Sequence, residues 1–214
     1  MNFYQKKFES KNQLDFLDIG CSNGTGYDYL RHNFGDNGLC IDIDPEKVKN
    51  ALKRGVPAVQ LDACNIDIFS DNSCKVVSIM HVLEHLPNTE IVNSILKESS
   101  RIASNTIYIR GPMFYEKYLS ELGLQFYWSN WTGHSCHIEP EKIIELAKTH
   151  IPKDRFKHKL NNRSEVQTSA DPCIHPLNGK IDRHDYNPKK DPQKNNKIKL
   201  KNIYKEFELH LHLK

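Results

Sequence analysis

The 214 residues, 38% of them hydrophobic, are enough for one domain with its own core. No apolar run reaches the length needed to span a bilayer, and the N-terminus lacks a charged-then-apolar leader. The net charge of +3 is unevenly spread: residues 1–150 hold 15 Lys/Arg against 19 Asp/Glu and residues 151–204 hold 13 against 6, so the positive excess is concentrated in the last third.

In chain order, Leu14 to Ile19 is an apolar run that predicts a buried strand. It carries Asp18 near its end and enters Gly20-Cys21-Ser22-Asn23-Gly24-Thr25-Gly26, a turn with three glycines, before a predicted helix over 27–33. Strand, Gly-rich turn and helix N-terminus together suit a nucleotide-like ligand, because glycines admit close approach and the first helical amides are unpaired donors. Glycines at 20, 24 and 26 do not fit the dinucleotide spacing G-x-G-x-x-G; they fit a shorter loop for a ligand without a pyrophosphate.

A second strand is predicted over 39–43, followed by a helix over 46–54 that Pro45 opens and Asp44 caps. Asp42 lies 22 residues past Gly20, where a Rossmann-like fold places a carboxylate for ribose hydroxyls. The third strand, 58–61, ends in Asp62-Ala63. The fourth, 75–80, runs into His81-Val82-Leu83-Glu84-His85-Leu86-Pro87. A helix over 88–104 with an apolar stripe at Ile91, Ile95, Leu96, Ser99 and Ile102 leads to a fifth strand, 105–110, closed by Arg110.

Over roughly residues 14–110 these segments make the chain resemble the class I S-adenosylmethionine-dependent methyltransferases, in particular the small Leu-Asp-Ile-Gly-Cys-Gly-x-Gly type. Asp18, Gly20 and Gly24 match that motif, Ser22 stands where a middle glycine is usual, and His81 to Leu86 resembles the segment after the fourth strand. The resemblance implies methyltransferase activity with S-adenosyl-L-methionine as cofactor. It implies cofactor contacts from Asp18, Gly20, Cys21, Ser22 and Gly24, from Asp42 at the ribose, from Ile43, from Asp62 and Ala63 at the adenine edge, and from His81.

Beyond Gly111-Pro112 comes an aromatic-rich stretch, then a predicted helix over 140–150. Phe207 to Leu213 alternates strictly and reads as a strand, with Arg155 to Leu160 as its antiparallel partner. The fold expected is α/β: a Rossmann-like, doubly wound, seven-stranded sheet, mostly parallel, with an antiparallel C-terminal hairpin strand, in a single domain over 1–214. His210 and His212 share a face with Glu208 and read as half-buried strand positions rather than metal ligands. A basic insertion rich in Asn, Pro and Lys separates the last two strands over 161–202. Segments such as Ser169 to Pro176 and Asp182-Arg183-His184 look unlike a linker, whereas Asn187 to Lys201 reads as mobile. The insertion is either a solvated loop or a lid whose charge draws an anionic substrate. The six cysteines show no Cys-x-x-Cys pair, so reduced thiols and a cytoplasmic location are expected.

For the chemistry, His81 follows the fourth strand, where such folds open their active crevice, and an imidazole there suits general base work. A merely cofactor-adjacent role is the alternative. Trp128, Trp131, His134 and His137 form a second cluster that would wall an acceptor pocket, or pack as an aromatic patch with surface histidines. His85 would pack, cap or touch the substrate, and Arg110 would pair with a phosphate or carboxylate. His134 and His137 could join Glu84 around a metal, but the carboxylate and asparagine set of catechol-type enzymes is missing, so no metal is expected. The acceptor expected is a small polar or saccharide-type molecule, anionic, phosphorylated in one version, with O-methylation preferred over N-methylation. A nicotinamide oxidoreductase is disfavoured by the glycine spacing. A base-amino nucleic-acid methyltransferase is disfavoured because no Pro-Pro occurs. A non-catalytic cofactor-binding partner protein stays open, and the sequence gives no oligomeric state.

Overall fold

The structure is a computed structural model that describes residues 13–180 and 184–213. Its first half follows the alternation predicted above: β1 (Leu14–Ile19), α1 (Tyr27–Phe34), β2 (Gly38–Asp42), α2 (Pro45–Lys53), β3 (Ala58–Gln60), β4 (Cys74–Met80), α3 (Thr89–Ile102) and β5 (Ala103–Pro112). Then come α4 (Glu116–Glu121), β6 (Leu124–Phe126), α5 (Pro140–Ala147), β7 (Lys157–Glu165), β8 (Ile174–Pro176) and β9 (Tyr204–His212). One sheet has seven strands in the order β3-β2-β1-β4-β5-β9-β7. β1 to β5 pair in parallel, and β9 runs antiparallel between β5 and β7.

Adjacent strand residues point to opposite sheet faces, and the two faces are buried by different helices. Phe16, Cys40, Val76 and Tyr108 pack with Leu30 of α1 and Val48 and Ala51 of α2. Their neighbours Leu17, Ile41, Val77 and Ile109 pack with Ile95 and Leu96 of α3 and Ile143 of α5. The sheet is therefore wound on both sides. Asp44 caps α2 as expected, accepting from the Glu46 and Lys47 amides, with Pro45 at the start.

The last third departs from the expectation. The hairpin partner runs over Lys157–Glu165 rather than 155–160, so the residues from Asn161 to Glu165 are sheet, not insertion. β8 then pairs antiparallel with β6. Leu119, Phe126, Val166, Ile174, Leu200 and Ile203 build a third apolar cluster beneath this pair. The stretch read as mobile thus ends in a buried anchor, Leu200. Asp182 and Arg183 lie outside the described residues. His210 and His212 sit on the half-buried strand β9, bonded to Glu208 and Thr106. All six cysteines are free thiols. Among the described residues no helix is long and apolar enough to cross a membrane.

Candidate functional site

Strand order reverses between β1 and β4, and the carboxyl ends of these strands open a crevice. Two loops meet there. Gly20, just after β1, has φ +71°, and a Cβ on it would lie 2.5 Å from Val82 Cγ2 of the opposite loop. Backbone and neighbour both exclude a side chain, which lets the turn after β1 pack directly against the Val82 loop. Ser22 holds φ 51°, a left-handed conformation that glycine reaches without strain and serine does not.

Asp42 closes β2 and is buried. Its Oδ2 accepts the Ser22 N–H at 2.7 Å and its Oδ1 the Asp44 N–H at 3.0 Å. Each carboxylate oxygen has two lone pairs, so both keep capacity for a further donor, which is what a vicinal diol offers. The next residue, Ile43, is 66% exposed, an apolar side chain suited to the flat face of a purine. Asp62 folds back on its own turn, accepting from the Cys64 N–H at 2.8 Å and the Asn65 side-chain amide at 3.2 Å.

Two residues of the first loop do not present their side chains. Asp18 is 2% exposed beneath the turn, and burial pushes its carboxyl up to about 7, with Asp42 adding to the rise. Its carboxyl is covered by the strand end and the turn around it. Cys21 buries its side chain in the cluster under α1 and α2, so only its backbone faces the crevice.

His81 ends the β4 side of the crevice. It sits at φ 54° with its N–H bonded to the Arg110 carbonyl at 2.8 Å. A non-glycine residue held in this region stores strain that the surroundings must maintain. Its Nδ1 lies 3.4 Å from Glu84 Oε1 and its Nε2 3.6 Å from Glu206 Oε1, with the ring 43% exposed. The imidazole is therefore suspended between two carboxylates.

Beyond His81 opens a cavity of about 410 Å³, lined by Glu84, His85, Trp128, Trp131, His134 and Glu206 among others. His85 Nδ1 lies 2.7 Å from the Gly133 carbonyl and His134 Nδ1 3.0 Å from the Trp128 carbonyl. A carbonyl only accepts, so both rings carry a proton on Nδ1; when neutral, such a ring keeps its lone pair on Nε2. Burial lowers the His134 pKa below the ordinary histidine value, favouring that neutral form. Glu84, His85 and His134 bring one donor atom each to within 4.8 Å of one another.

His137 does not join them: it pairs with Glu116, faces the His134 carbonyl and stacks on Phe114 at 4.3 Å. Arg110 reaches the crevice edge, but its Nε and Nη2 both donate to Glu206. Lys205, on the cavity wall, is tied to Asp171 at 3.1 Å. Glu206 is the residue the sequence did not reveal. The strand was expected to start at Phe207, whereas β9 starts at Tyr204 and registers Glu206 against Pro112. The alternation of Glu206 and Glu208 against Phe207 and Leu209 was the available signal.

The sequence matches the family model described as "Methyltransferase domain" over residues 17–106. No curated protein matches it. Among solved structures, the fold is similar to a SAM-dependent methyltransferase from Archaeoglobus fulgidus, with TM-score 0.61, 20% identity and coverage of 98% of this chain and 89% of that one. It is also similar to magnesium protoporphyrin IX methyltransferase from Synechocystis PCC 6803 with bound SAH, with TM-score 0.56, 13% identity and coverage of 100% and 88%. A third similar structure is Haemonchus contortus phosphoethanolamine N-methyltransferase 2 with S-adenosyl-L-methionine, with TM-score 0.50, 18% identity and 73% of this chain covered. The alignment spans only 36% of that enzyme, and 58% of a longer methyltransferase from Galdieria sulphuraria.

Proposed function

We propose that this chain, which belongs to the methyltransferase-domain family through residues 17–106 and takes S-adenosylmethionine as its cofactor, methylates a hydroxyl of a small polar acceptor seated against His81. The cofactor supplies an activated methyl on a sulfonium. The residues described above fit it: the turn from Gly20 to Gly24 admits its amino-acid end, Asp42 takes the ribose hydroxyls, and Ile43, Asp62 and the Ala63 amide meet the adenine.

The observation that carries the reading is the suspension of His81 between Glu84 and Glu206 on the wall of a cavity of about 410 Å³. His81 removes the hydroxyl proton on one ring nitrogen, where the acceptor displaces the neighbouring carboxylate, while the carboxylate at the other nitrogen fixes the ring. Trp128, Trp131, His85 and His134 wall the acceptor and keep water away from the transfer.

On acceptor charge our reading departs from the anion expected above. Arg110 at the crevice edge and Lys205 on the cavity wall are engaged by Glu206 and Asp171. With Glu206 paired to Arg110, Glu84 is the carboxylate left beside His81, so a neutral polyhydroxyl acceptor fits better than an anion. The same carboxylate favours, as a second reading, an acceptor carrying an ammonium group. Release of S-adenosylhomocysteine across a panel of neutral sugars, nucleotide sugars and small amines tests these readings. Turnover with neutral sugars supports the first and with amines alone the second. Turnover confined to phosphorylated acceptors contradicts both, and cofactor binding without turnover on any of them points to a non-catalytic binding protein.

A further inference from the structure

The insertion between β7 and β9 contains a second cluster of ligating side chains, remote in sequence from every residue assigned above. From Leu177 to Lys199 no apolar side chain among the described residues is buried; the buried residue of this stretch is an acid, Asp191. A loop folded around a carboxylate, with no apolar core of its own, needs another source of cohesion.

The polar groups at its centre are incompletely satisfied. Asp191 Oδ2 accepts from the Asn187 N–H at 2.7 Å and lies 3.0 Å from His184 Nε2. Its Oδ1 is buried and has no hydrogen-bond partner. His175, 1% exposed at the centre of β8, likewise buries its Nε2 without a partner. His175, His184 and Asp191 bring one donor atom each to within 4.8 Å of one another. Two orphaned atoms on converging side chains are costly apart and satisfied together by one cation.

We propose that His175, His184 and Asp191 bind a divalent transition-metal ion of the zinc class that fastens the insertion to β8. Two imidazoles and one carboxylate are borderline donors suited to zinc or cobalt rather than magnesium or calcium. Three protein ligands leave a position for water. The Asn187 amide on Asp191 is the outer hydrogen bond that orients a ligating carboxylate. The ion would hold a loop that carries Lys194 onto the Asp171 and Ile174 carbonyls and leads to the buried anchor Leu200.

The test is metal retention by the full chain. Protein is stripped with chelator, incubated with zinc sulfate, desalted and assayed for zinc by mass spectrometry. The same is done for His184→Ala, Asp191→Asn and His134→Ala, the last removing a ligand of the cavity cluster. We expect one equivalent retained by the wild type and by His134→Ala, and loss of it in His184→Ala and Asp191→Asn. Zinc should also slow proteolytic cleavage between residues 177 and 199 in the wild type, a readout that needs no variant to fold. No retained zinc in the wild type, retention that survives His184→Ala, or loss confined to His134→Ala overturns the proposal.

Discussion

The Ser22 amide donates to Asp42 Oδ2 at 2.7 Å, so the turn after β1 and the acid at the end of β2 form one hydrogen-bonded unit. The turn is thereby shaped before any ligand arrives, and the acid is oriented by the backbone it faces. Preorganisation of this kind lowers the ordering cost of binding.

Ser22→Gly keeps the donated N–H and relieves the left-handed conformation at φ 51°. Relief of about 1–2 kcal/mol is partly offset by the greater unfolded-state freedom of glycine, leaving a gain of up to about 1 kcal/mol. Chemical unfolding should show that gain with cofactor affinity unchanged. A loss of stability would mean that the serine side chain contributes more than its backbone strain costs.

Gly20→Ala meets two obstacles, a φ of +71° and a contact of 2.5 Å with Val82. Together these should destabilise the fold by about 2–4 kcal/mol. Adding Val82→Ala should recover the steric part and leave the backbone part. If the double variant is no more stable than Gly20→Ala, the two loops do not meet as described.

The part of the molecule legible in the sequence is the part whose signals are local. Apolar runs, the glycine turn and strand-end acids lie within a few residues of one another, so β1 to β5 and the positions of Asp42 and His81 could be read directly. β7 was misplaced because it is an edge strand with mostly exposed polar residues and no alternation to mark it. β6 and β8 are each three residues long and stabilise one another across the sequence from 126 to 174. Glu206 enters the site only through the antiparallel register of β9 on β5, which no local pattern encodes.

Asp18 should make stability fall as pH rises. Its folded carboxyl is raised by burial to about 7, whereas an unfolded aspartate titrates near ~3.9. The folded protein keeps a proton that the unfolded chain has released, so this contribution is complete below the unfolded value and is lost as pH climbs through about 7. The loss is at most about 4 kcal/mol. Unfolding free energies from pH 4 to 8 should be flatter in Asp18→Asn than in the wild type. Parallel curves would show that Asp18 is ionised in the fold throughout.

His81→Ala should separate chemistry from binding. Loss of a general base lowers turnover by roughly 10²–10⁴-fold. Cofactor affinity should fall less than turnover, because the ribose and adenine contacts lie on other strands. Steady-state rates of S-adenosylhomocysteine release, paired with cofactor titration, check both halves. Equal kinetics in the two proteins would leave His81 a bystander.

The most direct measurement is calorimetric titration of S-adenosylmethionine into the wild type and Asp42→Ala side by side. A carboxylate that bonds both the loop and the ribose should cost about 1–3 kcal/mol when removed, so binding is expected in the wild type and weakened more than about tenfold in the variant. Equal affinity in the two proteins would contradict the ribose assignment, and no heat of binding in the wild type would contradict the account as a whole.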